Sequence, residues 1–137
     1  MPIFNLFGKK DAGNELTKGS PYKISSEWVP YKLYSGRRSS TMLIVKIKNA
    51  TKEILLTSLI LELPQQLGLD EVGMIKEREQ RIGDIQPGEE RELKFDVYGG
   101  IKTDAGEYTV TLTAMAHYRD YGHVINAVKK RTTLSVV

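Results

Sequence analysis

The chain has 137 residues, of which 40% are hydrophobic and 27% charged, and its formal net charge is +3. A domain of this size can bury enough apolar surface to fold without disulfides or metals. The absence of cysteine excludes disulfide scaffolds, thiolate zinc sites and cysteine nucleophiles, and no apolar run reaches the roughly 18 residues that span a bilayer. We therefore expect a soluble domain, and the lack of a secretory-signal pattern at the N-terminus predicts a cytoplasmic location.

Charge is unevenly distributed along the chain. Residues 1–52 carry ten Lys/Arg against three Asp/Glu, residues 53–107 carry six against thirteen, and residues 108–137 carry four against one. A domain with a basic N-terminal third favours acidic partners or anionic surfaces.

The N-terminal segment, residues 1–20, is interpreted as an apolar peptide followed by a flexible linker, and residues 21–137 as one β-domain. Residues 3, 4 and 7 share a face of a helical turn, the spacing of a short membrane anchor or of a helix that docks in a groove. The candidate interaction residues of this peptide are Ile3, Phe4, Leu6, Phe7, Lys9 and Lys10.

Alternating apolar residues predict the first strands. Residues 22–28 indicate an edge strand that Pro30 ends, and residues 41–49 place Leu43, Val45 and Ile47 on one face. Residues 54–63 form the next strand, whose core face holds four leucines. Its other face is apolar too, at Ile54, Leu56 and Ile60, which predicts that the N-terminal peptide, a loop or a partner covers it.

The middle of the chain is less regular. Residues 64–80 predict no defined element, and residues 81–85 predict a short strand. The run 86–89, Gln-Pro-Gly-Glu, fits a type II turn with Pro at the second position and Gly at the third, where φ is positive. A strand with Leu93, Phe95 and Val97 inward follows it.

Residues 104–118 carry the longest period-two pattern. The even-numbered residues from Tyr108 to Tyr118 are predicted to face the core and the odd-numbered residues to face water. A loop over 119–122 leads to a last strand ending at residue 137, in which Lys130 falls on the apolar face. We expect a bulge near 129–131 to resolve that conflict.

About seven strands with no helical periodicity after residue 20 predict an all-β, two-sheet antiparallel sandwich. The segment Asp104-Ala-Gly106-Glu-Tyr108-Thr-Val110 resembles the D-x-G-x-Y-x-C segment of immunoglobulin-like domains. That resemblance implies a tyrosine corner, in which the Tyr108 hydroxyl bonds to backbone near Asp104. It also implies a sandwich without its disulfide, because Val110 stands at the cysteine position, opposite Leu43 or Val45.

The order of an Asn-Ala-Thr turn, Leu-Glu-Leu-Pro, Ile-x-Pro-Gly-Glu and Gly-Glu-Tyr over residues 40–137 resembles the CARDB-type immunoglobulin-like modules, which are related to cell adhesion and common in prokaryotes. This resemblance specifies an architecture that hosts many unrelated roles.

Catalytic and metal-binding patterns are weak. His117 and His123 flank a short hairpin, but pairing Tyr118 with His123 sets His117 opposite Val124 and sends the two rings to opposite faces. We expect two ordinary surface or rim histidines. The many acids between residues 70 and 107 fit a solvated face, and no nucleophile elbow or phosphate loop is present. We expect no enzyme, no cofactor and no small-molecule substrate.

Basic residues could form a patch with aromatic side chains that stack on single-stranded nucleic acid. Outward lysines on strands more often protect edges from aggregation, so nucleic acid is a distant alternative. The residues concerned are Lys23, Lys32, Arg37, Arg38, Lys46, Lys48, Lys129, Lys130 and Arg131, with Trp28, Tyr31 and Tyr34.

The sequence thus favours a non-catalytic protein–protein interaction or scaffolding module. It would self-associate or dock a partner through the N-terminal peptide and an exposed sheet face. The alternatives for the peptide stay open: it folds back over Ile54, Leu56 and Ile60, exchanges into a neighbouring subunit, docks on a partner, is disordered, or contacts an anionic membrane weakly and places the protein at its periphery.

Overall fold

The computed structural model describes residues 20–137, and within that range the backbone forms nine β-strands and no helix. The candidate residues of the N-terminal peptide lie outside the described residues. The strands are β1 (Tyr22–Val29), β2 (Lys32–Leu33), β3 (Ser39–Asn49), β4 (Leu55–Glu62), β5 (Leu67–Gly68), β6 (Glu77–Ile85), β7 (Glu90–Gly99), β8 (Gly106–His117) and β9 (Val124–Val136).

Two sheets pack face to face. One has the order β1-β3-β7-β5 and the other β2-β9-β8-β4-β6, and only the short β2–β9 contact is parallel. This division matches the two sheets of the immunoglobulin architecture, and it confirms the predicted fold class. The two-residue strands β2 and β5 account for the excess over the expected seven.

The core lies between the sheets and is built by the alternation that the sequence shows. On β3 the fully buried apolar residues are Leu43, Val45 and Ile47, and on β8 they are Val110, Leu112, Ala114 and Ala116. Successive strand residues point to opposite faces, so every second residue enters the core. The predicted core faces of β3 and β8 are confirmed over these residues.

Three local predictions were wrong. Tyr118 is 53% exposed because β8 ends at His117. Strand β6 begins at Glu77 rather than near residue 81, because pairing with β4 holds a polar segment that lacks apolar alternation. The bulge of β9 lies at Ile125, which has no partner between the pairs Ala116–Asn126 and His117–Val124.

No bulge occurs at residues 129–131, where Lys130 keeps the register and faces inward at the edge of the sandwich. Its ammonium donates to the Ile24 carbonyl of β1, 2.9 Å away. The edge position lets the charged end reach a backbone acceptor, so the strand does not need to deform. Strand β2 covers β9 only at Ser135 and Val136, so β9 has an open edge at Lys130, where an inward-pointing charge also hinders pairing with another chain.

Two turn predictions are confirmed. Gly88 has φ +77° in the turn where the Glu89 amide donates to the Gln86 carbonyl. The Tyr108 hydroxyl donates to the Asp104 carbonyl at 2.6 Å, which makes the tyrosine corner, and Gly106 between them has φ +156°. Asp104, Gly106 and Tyr108, which the sequence places in the tyrosine corner, thus meet at the start of β8.

Candidate functional site

The candidate docking surface is the outer side of the five-stranded sheet, across β6, β4, β8 and β9. Cross-strand pairing places its side chains in rows, since directly paired residues share a face. One row is Glu79, Ile60, Thr113 and Lys129, and the next is Glu77, Glu62, Thr111 and Arg131. We call these eight residues, together with Leu56, Ser58, Met115 and His117, the outer face.

Charge on the outer face is separated by strand. The acids Glu62, Glu77 and Glu79 lie on β4 and β6, and the bases Lys129 and Arg131 lie on β9. All five are exposed. Arg81 on β6 forms a 3.8 Å ion pair with Glu79 and partly neutralises the acids. The β4–β6 side nevertheless stays acidic, and the β9 side is basic.

Between these charged sides the outer face is uncharged. Leu56, Ile60, Thr111, Thr113 and Met115 are each partly exposed. The prediction of apolar residues on the second face of β4 is confirmed for Leu56 and Ile60. It is wrong for Ile54, which precedes the strand, and which lies 55% exposed in the loop before it.

The opposite sheet presents a different outer surface. There Lys46 pairs with Glu92 and Lys48 with Glu90, so opposite charges sit side by side on neighbouring strands. Lys94 lies beside Ile44 within the same surface. Because the charges in the middle of the four-stranded sheet favour contact with water, a partner would have to desolvate them. The uncharged centre of the outer face is therefore the better docking surface.

One end of the outer face is closed by the β8–β9 hairpin. Ser58 and His117 are buried, at 0% and 5% exposure, and the serine Oγ lies 2.7 Å from the histidine Nε2. The Tyr121 ring packs edge-on against His117 at 5.0 Å, and the Arg81 guanidinium lies 4.7 Å from the Tyr121 ring. His117 is therefore not the surface or rim histidine that the sequence predicted.

The Ser58–His117 pair resembles a nucleophile and its base, yet its surroundings differ from a catalytic site. No partner among the described residues bonds to the His117 Nδ1, where a carboxylate would orient the ring in a triad. Ser58 has no solvent-accessible surface through which a substrate could reach its hydroxyl. The pair is best read as packing that closes one end of the outer face.

His123 is separated from His117, as the predicted register requires. The Tyr118 amide donates to the His123 carbonyl, and His117 stands opposite Val124. The exposed His123 ring lies 2.8 Å from the Asp120 carboxylate, and this hydrogen bond, with one from the Gly122 amide, lowers the pKa of Asp120. Within residues 20–137 no group of three or more His, Asp or Glu side chains is arranged to hold a metal ion.

The predicted basic patch does not assemble. Lys46 and Lys48 lie on the outer surface of the four-stranded sheet, whereas Lys129 and Arg131 lie on the other sheet. The Trp28 indole is partly buried, packs against the core and donates to the Thr132 hydroxyl at 3.1 Å, so its ring faces are not fully exposed for a base to stack on.

A second exposed region lies at the end of the sandwich formed by residues 30–38, 63–76 and 100–105, which we call the loop end. It contains an open cleft of about 520 Å³ lined by residues that include Arg38, Lys76 and Ile101. Arg37 lies over the Tyr34 ring at 4.5 Å. Tyr31, Val72, Met74 and Ile101 are each at least 70% exposed.

Sequence reasoning found the apolar residues of the outer face but missed its charge separation and its buried serine–histidine pair. Alternation placed Ser58 and His117 outward on their own strands. Only the pairing of β4 with β8 brings them together across 59 residues. No local signal in the sequence specifies that register.

Neither a scan of protein-family models nor a search of curated proteins finds a match to this chain. No helix in residues 20–137 is long and apolar enough to cross a membrane.

Solved structures show the same fold. The chain is 19% identical to an α-2-macroglobulin of Salmonella over 85% of its own length, with a TM-score of 0.61, but it spans only 7% of that protein. A FixG-related protein of Vibrio parahaemolyticus matches with a TM-score of 0.56 and 13% identity, over 85% of this chain and 97% of the other.

MyfA, the major subunit of Myf fimbriae from Yersinia enterocolitica, matches with a TM-score of 0.50 and 14% identity, over 83% of this chain and 98% of MyfA. At these identities the likeness concerns the fold alone. The chain thus has an immunoglobulin-like β-sandwich fold.

Proposed function

We propose that this protein is a non-catalytic interaction module that docks another protein on the outer face of its five-stranded sheet. The observation that carries the proposal is the uncharged strip of Leu56, Ile60, Thr113 and Met115 between two charged sides. An apolar centre with a polar rim is the usual anatomy of a protein–protein interface.

Two similarities support this role without specifying a partner. MyfA, which has the same fold, is a subunit of an assembled fibre. The resemblance of residues 40–137 to CARDB-type modules, which are related to adhesion, points in the same direction. A cytoplasmic location remains part of the proposal and rests on the sequence alone.

The test is photo-crosslinking in the native host with benzoylphenylalanine in place of Thr113, at the centre of the outer face. We expect a discrete protein adduct that disappears when Ile60→Lys is added, because a buried lysine at the centre disrupts an interface. The same crosslinker in place of Lys94, on the other sheet, is the matched control. Equal adducts from both positions, or none from Thr113, would contradict the proposal.

The N-terminal peptide is the second element of this proposal. Deleting residues 1–10 removes Phe4, Phe7 and Lys9 and should abolish partner binding or self-association while leaving the fold intact. Size-exclusion chromatography and pull-down measure the first effect, and circular dichroism measures the second. Unchanged association would assign binding to the outer face alone.

A second candidate function is peripheral attachment to an anionic membrane, which the sequence assigned to Phe4, Phe7, Lys9 and Lys10. The loop end supports it from a different position, since exposed Ile101 lines the cleft with Arg38 and Lys102, and exposed Met74 lies in the same group of loops. Apolar side chains beside cations suit an interface with acidic lipids.

Flotation with phosphatidylserine vesicles separates the two positions. Loss of binding in Phe4→Ala/Phe7→Ala would assign it to the peptide, and loss in Met74→Asp/Ile101→Asp would assign it to the loop end. Equal flotation of wild type and both variants would remove the membrane from consideration.

A further inference from the structure

We propose that the partner of the outer face is a second copy of this chain, packed face to face about a two-fold axis that runs parallel to the strands. This inference rests on the proposed function, because it names an occupant for the same surface. The inference is drawn from the order of charges across the sheet. A two-fold axis along the strands places opposite charges of the two copies against each other, whereas an axis across the strands places like charges together.

The acidic and basic sides are too far apart to pair within one molecule. Strands β6 and β9 are separated by β4 and β8, and three strand intervals amount to about 14 Å. That distance exceeds the Debye length of about 8 Å at physiological salt, so the two sides interact weakly within one copy. Among the described residues, Lys129 and Arg131 form no ion pair.

A two-fold axis along the strands reverses the order of strands in the facing copy while keeping each row opposite its own row. In the row of Glu79, the glutamate then faces Lys129 of the second copy, and Ile60 faces Thr113. In the next row Glu77 faces Arg131, and Glu62 faces Thr111. Each of these contacts occurs twice, which gives four pairs of opposite charge on the two sides of a central strip whose only charged residue is Glu62, opposite the Thr111 hydroxyl.

The alternative axis, across the strands, is disfavoured by the same charges. It would lay β6 on β6 and β9 on β9, and Glu77 and Glu79 would then face the acidic side of the other copy. Like charges in direct opposition are destabilising. Three further charged groups border these rows: Arg81 pairs with Glu79 and stacks on Tyr121, Glu107 accepts from the Ser135 hydroxyl at 2.8 Å, and exposed Asp84, which is paired with Leu56, adds to the acidic side.

The size of the surface predicts a weak dimer. Four strands of about five residues cover about 330 Å² per copy. That is less than half of the area that each partner buries in a standard interface, and we expect association at micromolar or higher concentration. Because the rim contacts are exposed ion pairs, raising salt from 50 to 500 mM should weaken association roughly tenfold or more.

Charge reversal gives a decisive test by sedimentation velocity on the full chain. The acidic-face variant is Lys129→Glu/Arg131→Glu, and the basic-face variant is Glu77→Lys/Glu79→Lys. Each variant alone should stay monomeric where the wild type dimerises, because both sides of its face then carry the same sign. An equimolar mixture of the two should form a heterodimer, since each acidic position then meets a lysine or an arginine.

Lys23→Glu/Lys48→Glu is the matched control, because it changes the net charge by the same amount on the other sheet and should dimerise like the wild type. Circular dichroism of every variant verifies folding. A wild type that stays monomeric at about 1 mM in low salt, far above the micromolar range expected for such an interface, overturns the proposal. So does a mixture of folded variants that fails to associate.

Failure of this inference is distinguishable from failure of the proposed function. If self-association is absent but Thr113 still gives an Ile60-dependent adduct with another protein, the second copy is excluded and the docking surface stands. If Thr113 gives neither that adduct nor a dimer of the chain itself, both are excluded.

Discussion

At the scale of single side chains, a local motif predicts contacts within its own segment but not contacts with distant strands. The Tyr108 bond to the Asp104 carbonyl was predicted from seven residues, because both partners belong to the same short segment. The burial of His117 could not be predicted, because Ser58, which contacts it, lies on β4, and Tyr121, which packs against it, is covered by Arg81 of β6.

Tyr108→Phe should lower the free energy of unfolding by about 1 kcal/mol, the typical net contribution of one hydrogen bond. The ring keeps its packing against the core, so only the hydroxyl contact is lost. Urea denaturation measures the change. Tyr118→Phe, at an exposed tyrosine without a bond to another side chain in residues 20–137, is the control and should leave stability unchanged.

Tyr22 should make stability depend on pH in the alkaline range. Its ring is 2% exposed, and burial raises the pKa of Tyr22 above its ordinary value of 10.0, although the hydrogen bond with Thr57 acts in the opposite direction. The folded state holds this proton more tightly than the unfolded state. The resulting stabilisation is fully present below pH 10.0 and is lost as the pH rises through the folded-state pKa.

Urea denaturation across this alkaline range measures the effect. Tyr22→Phe removes the titrating group and should flatten the pH dependence, even though it also lowers stability at neutral pH by removing the bond to Thr57. An unaltered slope in Tyr22→Phe would contradict the assignment to this residue.

Strands and loops show a different balance between sequence and structure. Strands β3, β7 and β8 were predicted because one face of each enters the core, and alternation reports this directly. Strands β5 and β6 carry no such pattern. β5 has two residues, and β6 is an edge strand that is held by its hydrogen bonds to β4.

Gly68→Ala should disturb the segment after β5. A Cβ at this position would lie 2.5 Å from the Gly73 Cα, a backbone atom that moves only with its loop. We expect a loss of about 1–3 kcal/mol, the usual cost of overpacking. Hydrogen exchange should quicken at Leu69, whose amide donates to the Ile75 carbonyl.

Gly100→Ala is the control for this prediction, because an added Cβ there meets no atom within 4 Å and the backbone is not in the positive-φ region. Equal effects of the two substitutions would show that the close approach of Gly68 to Gly73 is unimportant.

For the whole molecule, one core between two sheets predicts one cooperative unfolding transition. Leu112, at 0% exposure in the middle of β8, contacts this core, and Leu112→Ala should cost about 2–5 kcal/mol. Trp28 fluorescence reports the contact between sheets through its bond to Thr132, and far-UV circular dichroism reports the strands. The two signals should coincide in wild type and variant.

Thr109→Ala, at an exposed position on the same strand, is the matched control and should change stability by less than about 0.5 kcal/mol. Separate transitions by the two probes would show that one sheet unfolds before the other, and they would contradict a single core.

The sequence by itself determined the fold class, the inward residues of the long strands and the tyrosine corner. These features depend on side-chain alternation within one strand or on contacts within a few residues. The tertiary structure decided the charge separation of the outer face and the burial of His117. Both depend on the order β9-β8-β4-β6, in which β6 and β9, far apart in the chain, become opposite sides of one surface. Such pairing is selected by the burial of all strands together, so no single stretch of sequence encodes it.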